Sequence, residues 1–206
     1  SINFDRDNRF AAGCDLGADK IFIYRFDAAT GKLSANPAQP FLEMKPGSGP
    51  RHFVFHPNGK LAFVINELAS TVTSLAYDAR RGRLKELQSL SSLPADFSGE
   101  NTCADLHLSP DGRFLYGSNR GHDSIVSYGV DEKTGALALI EHTSTQGKTP
   151  RNFAIDPAGK FLVAANQNSD SLVTFWIDGK TGKLRPTGNT VSVPAPVCVK
   201  LIPAFG

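Results

Sequence analysis

Short apolar runs rich in Val, Ile, Phe and Tyr recur along this chain, among them Leu61–Ile65, Thr71–Tyr77, Ile125–Val130 and Leu172–Ile177. Their length and their β-branched and aromatic content predict strands. Nowhere does a 3.6-residue periodicity last long enough for an amphipathic helix. Two kinds of turn punctuate the runs. The first is a tight hairpin in Phe55-His-Pro-Asn-Gly-Lys-Leu61, Leu108-Ser-Pro-Asp-Gly-Arg-Phe114 and Ile155-Asp-Pro-Ala-Gly-Lys-Phe161, with Phe4-Asp-Arg-Asp-Asn-Arg-Phe10 as a variant. Proline presets φ there and glycine accepts φ > 0. The second is Asp-x-x-x-Gly-x-Leu, found at Asp27–Leu33, Asp78–Leu84, Asp131–Leu137 and Asp178–Leu184. Its aspartate caps the loop and its glycine takes the left-handed position.

Both turns keep a common register. Gly31, Gly82, Gly135 and Gly182 step by 51, 53 and 47 residues. Each repeat therefore holds four antiparallel strands in about 50 residues, the content of a β-propeller blade. The expected fold is all-β: four four-stranded blades over residues 1–46, 47–98, 99–146 and 147–192, plus a closing strand at 193–206. Aligning Phe4 with Phe55 places Ser1 opposite His52, inside an innermost strand, and Pro196–Leu201 aligns with Pro50–Phe55 as the start of a fifth repeat. The expectation is the C-terminal part of a seven-bladed propeller, whose seven repeats would need roughly 350 residues. Its open blade faces should meet either missing N-terminal blades or a second copy.

The chain has 206 residues, 40% of them hydrophobic and 20% charged, with a net charge of +2. No Lys/Arg cluster marks a nucleic-acid surface, and no apolar run nears the ~20 residues that span a bilayer. Neither partner is expected. The three cysteines Cys14, Cys103 and Cys198 show no metal or disulfide spacing and read as core residues, as does Trp176. No metal or cofactor is implied. His56 sits where Asp5, Ser109 and Asp156 sit in the other hairpins and reads as a turn cap. His107 alternates with Asp105, which leaves channel lining and structural hydrogen bonding equally open.

Because strands alternate in direction, the start of each innermost strand and the turn between the second and third strands share one face. That face collects Arg51 and His52, Arg151 and Asn152, and the turn pairs Asp15-Leu16, Asn66-Glu67, Asn119-Arg120 and Asn166-Gln167. The uniform Asn or Asp is most simply a turn former, whereas the residue after it changes from blade to blade. Arg51, Arg120 and Arg151 with Glu67 would point at one channel mouth. Guanidinium groups beside a carboxylate suit an anionic ligand held next to a base, although ordinary loop charge is an equal reading.

The run Gly49-Pro-Arg-His-Phe-Val-Phe-His-Pro-Asn-Gly-Lys60 with Asn66-Glu-Leu68 resembles the lactonase family of seven-bladed propellers. That family includes the propeller-type 6-phosphogluconolactonase and the carboxy-cis,cis-muconate lactonizing enzyme. Asp105–Tyr116 with Asn119-Arg120, and Thr149–Pro157 with Asn166-Gln167, extend the likeness over the whole chain. The resemblance implies a lactonase of carbohydrate metabolism, in the pentose phosphate pathway, with a small anionic sugar lactone as substrate. It implies water attack on the lactone carbonyl without a metal. Arg51, Glu67 and Arg120 fall on the family's catalytic positions. Arg151, His52, Asn66, Asn119 and Gln167 would bind substrate. A family Pro-His histidine would lie just before Ser1, so this stretch lacks one catalytic group and is expected to be incomplete alone. A cytoplasmic location is implied, with no true N-terminus or signal in view. The alternatives are a lactonizing lyase at the same anionic site and a non-catalytic binding platform.

Overall fold

The structure is a computed structural model that describes residues 1–202. Seventeen strands form four antiparallel sheets, and a single short 3₁₀ turn, Gln167–Ser169, is the only helical element among the described residues. The first sheet contains β1 (Ile2–Phe4), β2 (Phe10–Asp15), β3 (Lys20–Asp27), β4 (Lys32–Ala35) and β5 (Phe41–Glu43). The second contains β6 (Pro50–Phe55), β7 (Leu61–Asn66), β8 (Thr71–Asp78) and β9 (Arg83–Ser91). The third contains β10 (Thr102–Leu108), β11 (Phe114–Arg120), β12 (Ser124–Val130) and β13 (Leu137–Ser144). The fourth contains β14 (Pro150–Ile155), β15 (Phe161–Asn166), β16 (Ser171–Ile177) and β17 (Leu184–Ser192). In the second, third and fourth sheets, and for β1 to β4 of the first, spatial order follows chain order, the meander of a propeller blade.

The first sheet departs from the expected four strands. Its outermost strand is interrupted by residues 36–40, so β4 and β5 both pair with β3. Pro37 and Pro40 cannot donate to the ladder, and the buried Asn36 turns its amide to the carbonyls of Arg81 and Gly82, both at 2.9 Å.

The turns behave as their residues dictate. Gly31, Gly82, Gly135 and Gly182 have φ of 71°, 65°, 76° and 73°, and Asn8 stands in for glycine in the first tight hairpin with φ 51°. Asp27, Asp78, Asp131 and Asp178 each accept the N–H two residues on, at 2.8–3.0 Å. His56 does cap its hairpin, Nδ1 accepting the Asn58 N–H at 3.0 Å.

By its contacts the chain divides into two compact units. One is Ser1–Ser91 with Asp131–Leu137, the other Ser92–Val130 with the residues from Ala138 onward. Phe10, Ile21, Phe53, Val64, Leu75 and Leu84 anchor the core of the first; Tyr116, Ile125, Phe153, Leu162, Phe175 and Leu184 anchor that of the second. The same joint recurs inside each unit. A Cβ on Gly82 would lie 2.3 Å from the Phe10 ring, one on Gly135 2.8 Å from the Leu61 side chain, and one on Gly182 2.4 Å from the Phe114 ring. Beside each glycine, the leucine two residues on donates its N–H to a side-chain oxygen from the preceding sheet. Leu84 reaches Gln39 at 2.7 Å, Leu137 reaches Gln88 at 2.8 Å and Leu184 reaches Glu141 at 2.8 Å.

Three expectations need correction. Trp176 is half exposed rather than core, because the alternation of β16 turns it outward over Phe161, 4.3 Å between ring centroids. Of the cysteines only Cys103 is fully buried. Cys14 is partly covered, where desolvation pushes its thiol up to about 11, and Cys198 is exposed in a segment without strand partners. The closing strand is not formed over 193–202, since a strand exists only beside a paired neighbour and these residues enter no ladder. Hydrogen bonds outside any ladder hold that segment: Val193 N donates to Asp170 O at 2.9 Å, Ala195 N to Asp170 Oδ1 at 2.7 Å and Val199 N to Asn152 Oδ1 at 2.6 Å. Residues 203–206 of the expected strand lie outside the described residues.

Replacing Gly82 by Ala should destabilise the protein by ~2–4 kcal/mol, combining the left-handed backbone penalty with overpacking against Phe10. Urea denaturation checks this, and an unchanged midpoint would mean that the joint is loose.

Candidate active site

In the first unit the site begins with an irregularity of β6. Pro50 pairs with Asn66 and His52 with Ile65, so Arg51 is an extra residue in the ladder, a β-bulge. Bulges bend a strand and re-aim a side chain. Here Arg51 Nε meets Glu67 Oε2 at 2.7 Å, with both side chains less than a fifth exposed. Glu67 follows the last residue of β7 and is fixed through its backbone, its N–H donating to Gly49 O at 2.7 Å. Gly49 has φ 61° and is itself held, its N–H donating to Asp19 Oδ1 at 2.7 Å while Gly47 donates to Asp19 Oδ2 at 2.8 Å. These two amides, Gly49 first, hold the Asp19 carboxyl below the usual carboxylate range. His52 follows on β6, half-buried.

The second unit repeats the plan. Pro150 pairs with Asn166 and Asn152 with Ala165, so Arg151 is again the bulged residue. Thr149 has φ 59°, donates its N–H to Asp123 Oδ1 at 2.8 Å and accepts from Gln167 N at 2.9 Å. Gln167 thus occupies the place of Glu67. Arg120 ends β11, and its Nη2 donates to Cys103 O at 2.9 Å. Around Arg120 opens a concavity of about 600 Å³ lined by Glu100, Asn101, Thr102, Gly121 and Thr149.

One wall of that concavity is the segment between β9 and β10, which breaks the repeat. It rests on Gly121 so tightly that a methyl group there would lie 2.1 Å from Glu100 O. Asn101 Oδ1 accepts His122 N at 3.1 Å, and the Phe97 ring meets the His122 ring edge-on at 4.9 Å. His142 lies 5.8 Å further along the same stack and donates Nε2–H to Ser92 O at 3.1 Å.

The turn asparagines take the role their chemistry favours first. Asn66, Asn119 and Asn166 are buried with their amides engaged: Asn66 donates to Thr71 and Thr73, Asn119 to Ser124 and to Ser92 O just past β9, and Asn166 to Thr145 O just past β13. His107 meets Asp105 at 3.1 Å. The buried Asp105 also accepts from Asn152 Nδ2, Leu106 N and Phe153 N, which stitches β10 to β14.

Residues that the pattern of arginines did not single out are the clamping carboxylates. Asp19, Asp123 and Asp170 all stand four positions after the turn Asp or Asn, a recurrence visible in the sequence. The bulges carry no such signal, because an extra residue shows only against its paired strand.

Two bulged arginines stand at the starts of innermost strands, one of them ion-paired to a glutamate, in sheets with the four-stranded meander of a β-propeller blade. Comparison with known proteins agrees. The family model for "Lactonase, 7-bladed beta-propeller" matches residues 1–201, and the chain belongs to that family. A Bacillus subtilis 6-phosphogluconolactonase is 41% identical over 199 residues, 97% of this chain and 56% of that protein. The Pseudomonas aeruginosa periplasmic gluconolactonase superposes with a TM-score of 0.90 at 39% identity, covering 97% of this chain and 55% of its own. A protein from Lactobacillus plantarum matches with a TM-score of 0.90 at 40% identity, over 96% and 56% of the two chains. The chain thus spans little more than half the length of these relatives. Among the described residues no helix is long and apolar enough to cross a membrane.

Burial holds His142 below its ordinary value of 6.5, with its bond to Ser92 opposing and the His122 charge adding to the effect. An unfolded His142 binds a proton below pH 6.5 that the folded one refuses until lower pH, so stability falls as pH drops through that window. Urea midpoints for the second unit should be lower at about pH 5.5 than at about pH 7.5, and His142→Gln should flatten the difference. An undiminished slope in that variant would assign it to another group.

Proposed function

We propose that the whole protein hydrolyses a sugar lactone carrying an anionic group, 6-phosphogluconolactone being the favoured substrate. The observation that carries this reading is the Arg51–Glu67 pair at 2.7 Å, set on a bulge and less than a fifth exposed. The names of the Bacillus subtilis and Pseudomonas aeruginosa relatives support the same chemistry.

Glu67 is the general base. Its carboxylate takes a proton from water as the water oxygen bonds to the lactone carbonyl carbon. The tetrahedral oxyanion is stabilised by a guanidinium N–H, for which Arg51 is already turned toward Glu67. Collapse breaks the bond to the ring oxygen, and the proton held by Glu67 passes to that oxygen, leaving the open hydroxy acid. Arg120 and Arg151 bind the phosphate or carboxylate through charge-assisted hydrogen bonds. His52 and Gln167 complete the polar contacts to the sugar, while Asn66 and Asn119 hold the turns that present Glu67 and Arg120. Within this reading the protein acts on a small molecule and the remaining blades complete its site.

In the full-length protein, Glu67→Gln should lower kcat by ~10²–10⁴-fold and leave KM nearly unchanged, because the amide keeps its place but cannot take a proton. Freshly made 6-phosphogluconolactone, followed by proton release with carboxymuconate run beside it, is the assay. Turnover of carboxymuconate alone would replace hydrolysis by lactonization, and undiminished kcat would remove Glu67 from the chemistry.

A further inference from the structure

Ahead of both bulged arginines stands the same unusual backbone. Gly49 and Thr149 precede Pro50 and Pro150 with φ of 61° and 59°, and Ala195 precedes Pro196 with φ 41°. A left-handed backbone is costly for Thr and Ala, and the residue before proline is normally extended. Strain of this kind persists only where the surroundings impose it. In each case a carboxylate does so. Asp19, Asp123 and Asp170 accept the N–H of Gly49, Thr149 and Ala195 at 2.7, 2.8 and 2.7 Å. The three aspartates are themselves left-handed, with φ of 51°, 52° and 50°.

We propose that Asp19 and Asp123 are positioning residues which aim Arg51 and Arg151 at the anionic substrate by clamping the left-handed residue and proline ahead of each bulge. The clamp also reaches the opposing turn. The carbonyls of Gly49 and Thr149 accept the N–H of Glu67 and Gln167 at 2.7 and 2.9 Å, so a single peptide on each sheet orders both the arginine and its neighbour across the strands. Where the repeat has no Pro-Arg, the clamp changes as well: Cys103-Ala104 follows a turn with Ser70 in the aspartate's place. Ala195-Pro196-Val197 keeps the carboxylate clamp but carries no arginine. It separates positioning from folding.

The proposal rests on the lactonase reading for its substrate, and on the Arg51–Glu67 geometry alone for its mechanics. Its test uses Asp19→Gly, Asp123→Gly and Asp170→Gly in the full-length protein. Glycine accepts φ near +50° without cost, so each variant removes the carboxylate while adding no turn strain. All three should lower Tm comparably. Asp123→Gly should raise KM, and Asp19→Gly should both raise KM and lower kcat, by about 10- to 100-fold in kcat/KM, the scale of a reacting group displaced by ~1 Å. Asp170→Gly should leave both constants at wild-type values. Asp19→Asn, which keeps one of two acceptor oxygens, should recover part of the loss. An equal loss in Asp170→Gly, or wild-type constants in the other two, overturns the proposal. A full-length protein without lactonase activity would sink the substrate reading instead. Hydrogen exchange of the Arg51 Nε–H by NMR then decides the mechanics. Faster exchange in Asp19→Gly but not in Asp170→Gly supports the clamp, and equal rates in both variants and wild type refute it.

Discussion

A sheet buried against another sheet must satisfy the backbone groups at the joint, and the solution repeated here is a side-chain oxygen delivered to a leucine N–H. Gln39, Gln88 and Glu141 each reach one sheet onward to Leu84, Leu137 and Leu184. The leucine side chain is buried at the same spot and the neighbouring glycine lies flush on an aromatic or aliphatic residue. Apolar burial is non-directional, so it holds sheets together without fixing their register. The paired amide fixes it. An unmade bond there would leave a buried donor costing about 1–3 kcal/mol, which makes a shifted stacking of two sheets unfavourable.

Such a scaffold allows irregularity at one end of the sheets without loss of order elsewhere. The bulges at Arg51 and Arg151 interrupt the first pair of each ladder, and from His52 and Asn152 onward the pairing is regular. On the opposite end, three of the four tight hairpins carry proline and glycine, and in the first Asn8 takes the left-handed place with φ 51°.

Much of the fold was legible because it is encoded locally. Asp131, Gly135 and Leu137 specify a turn with their own side chains and φ values, so four copies of that pattern amount to four hairpins whatever surrounds them. The arginines and Glu67 were legible as departures from the repeat. What stayed hidden depends on pairing across strands. Trp176 reads as core by composition, yet a period of two puts it on the outer side of β16. The interruption at Asn36 needed the knowledge that its amide is used by the carbonyls of Arg81 and Gly82. The clamping aspartates lie between these cases. Their spacing from Asp15, Asn119 and Asn166 is regular in sequence, but a regular aspartate in a turn is ordinary, and only the hydrogen bond to the residue ahead of a proline gives it a second meaning.

The repeat also explains why Arg120 differs from the other two arginines. Arg51 and Arg151 hang from innermost strands and are aimed by what precedes them in the chain. Arg120 ends β11 and is steadied by Cys103 O, while its surroundings come from Glu100, Asn101 and Thr102, which lead into the Cys103-Ala104 pair that stands where the second and fourth sheets have Pro-Arg. Gly121 lets that segment approach to backbone contact, and its φ of 130° is one that a residue with a side chain rarely adopts. Two structural routes therefore present the same guanidinium chemistry. An arginine aimed by a bulge keeps its direction only as long as the strand start is clamped, whereas one seated beneath a docked segment keeps it as long as that segment stays down. The first is set by charge on Asp19 and Asp123, the second by close packing at Gly121 and by the Phe97–His122–His142 stack. Acid that protonates His142 would therefore act on the surroundings of Arg120, whereas the Arg51 bulge rests on Asp19, whose carboxyl the Gly49 and Gly47 amides hold below the usual carboxylate range.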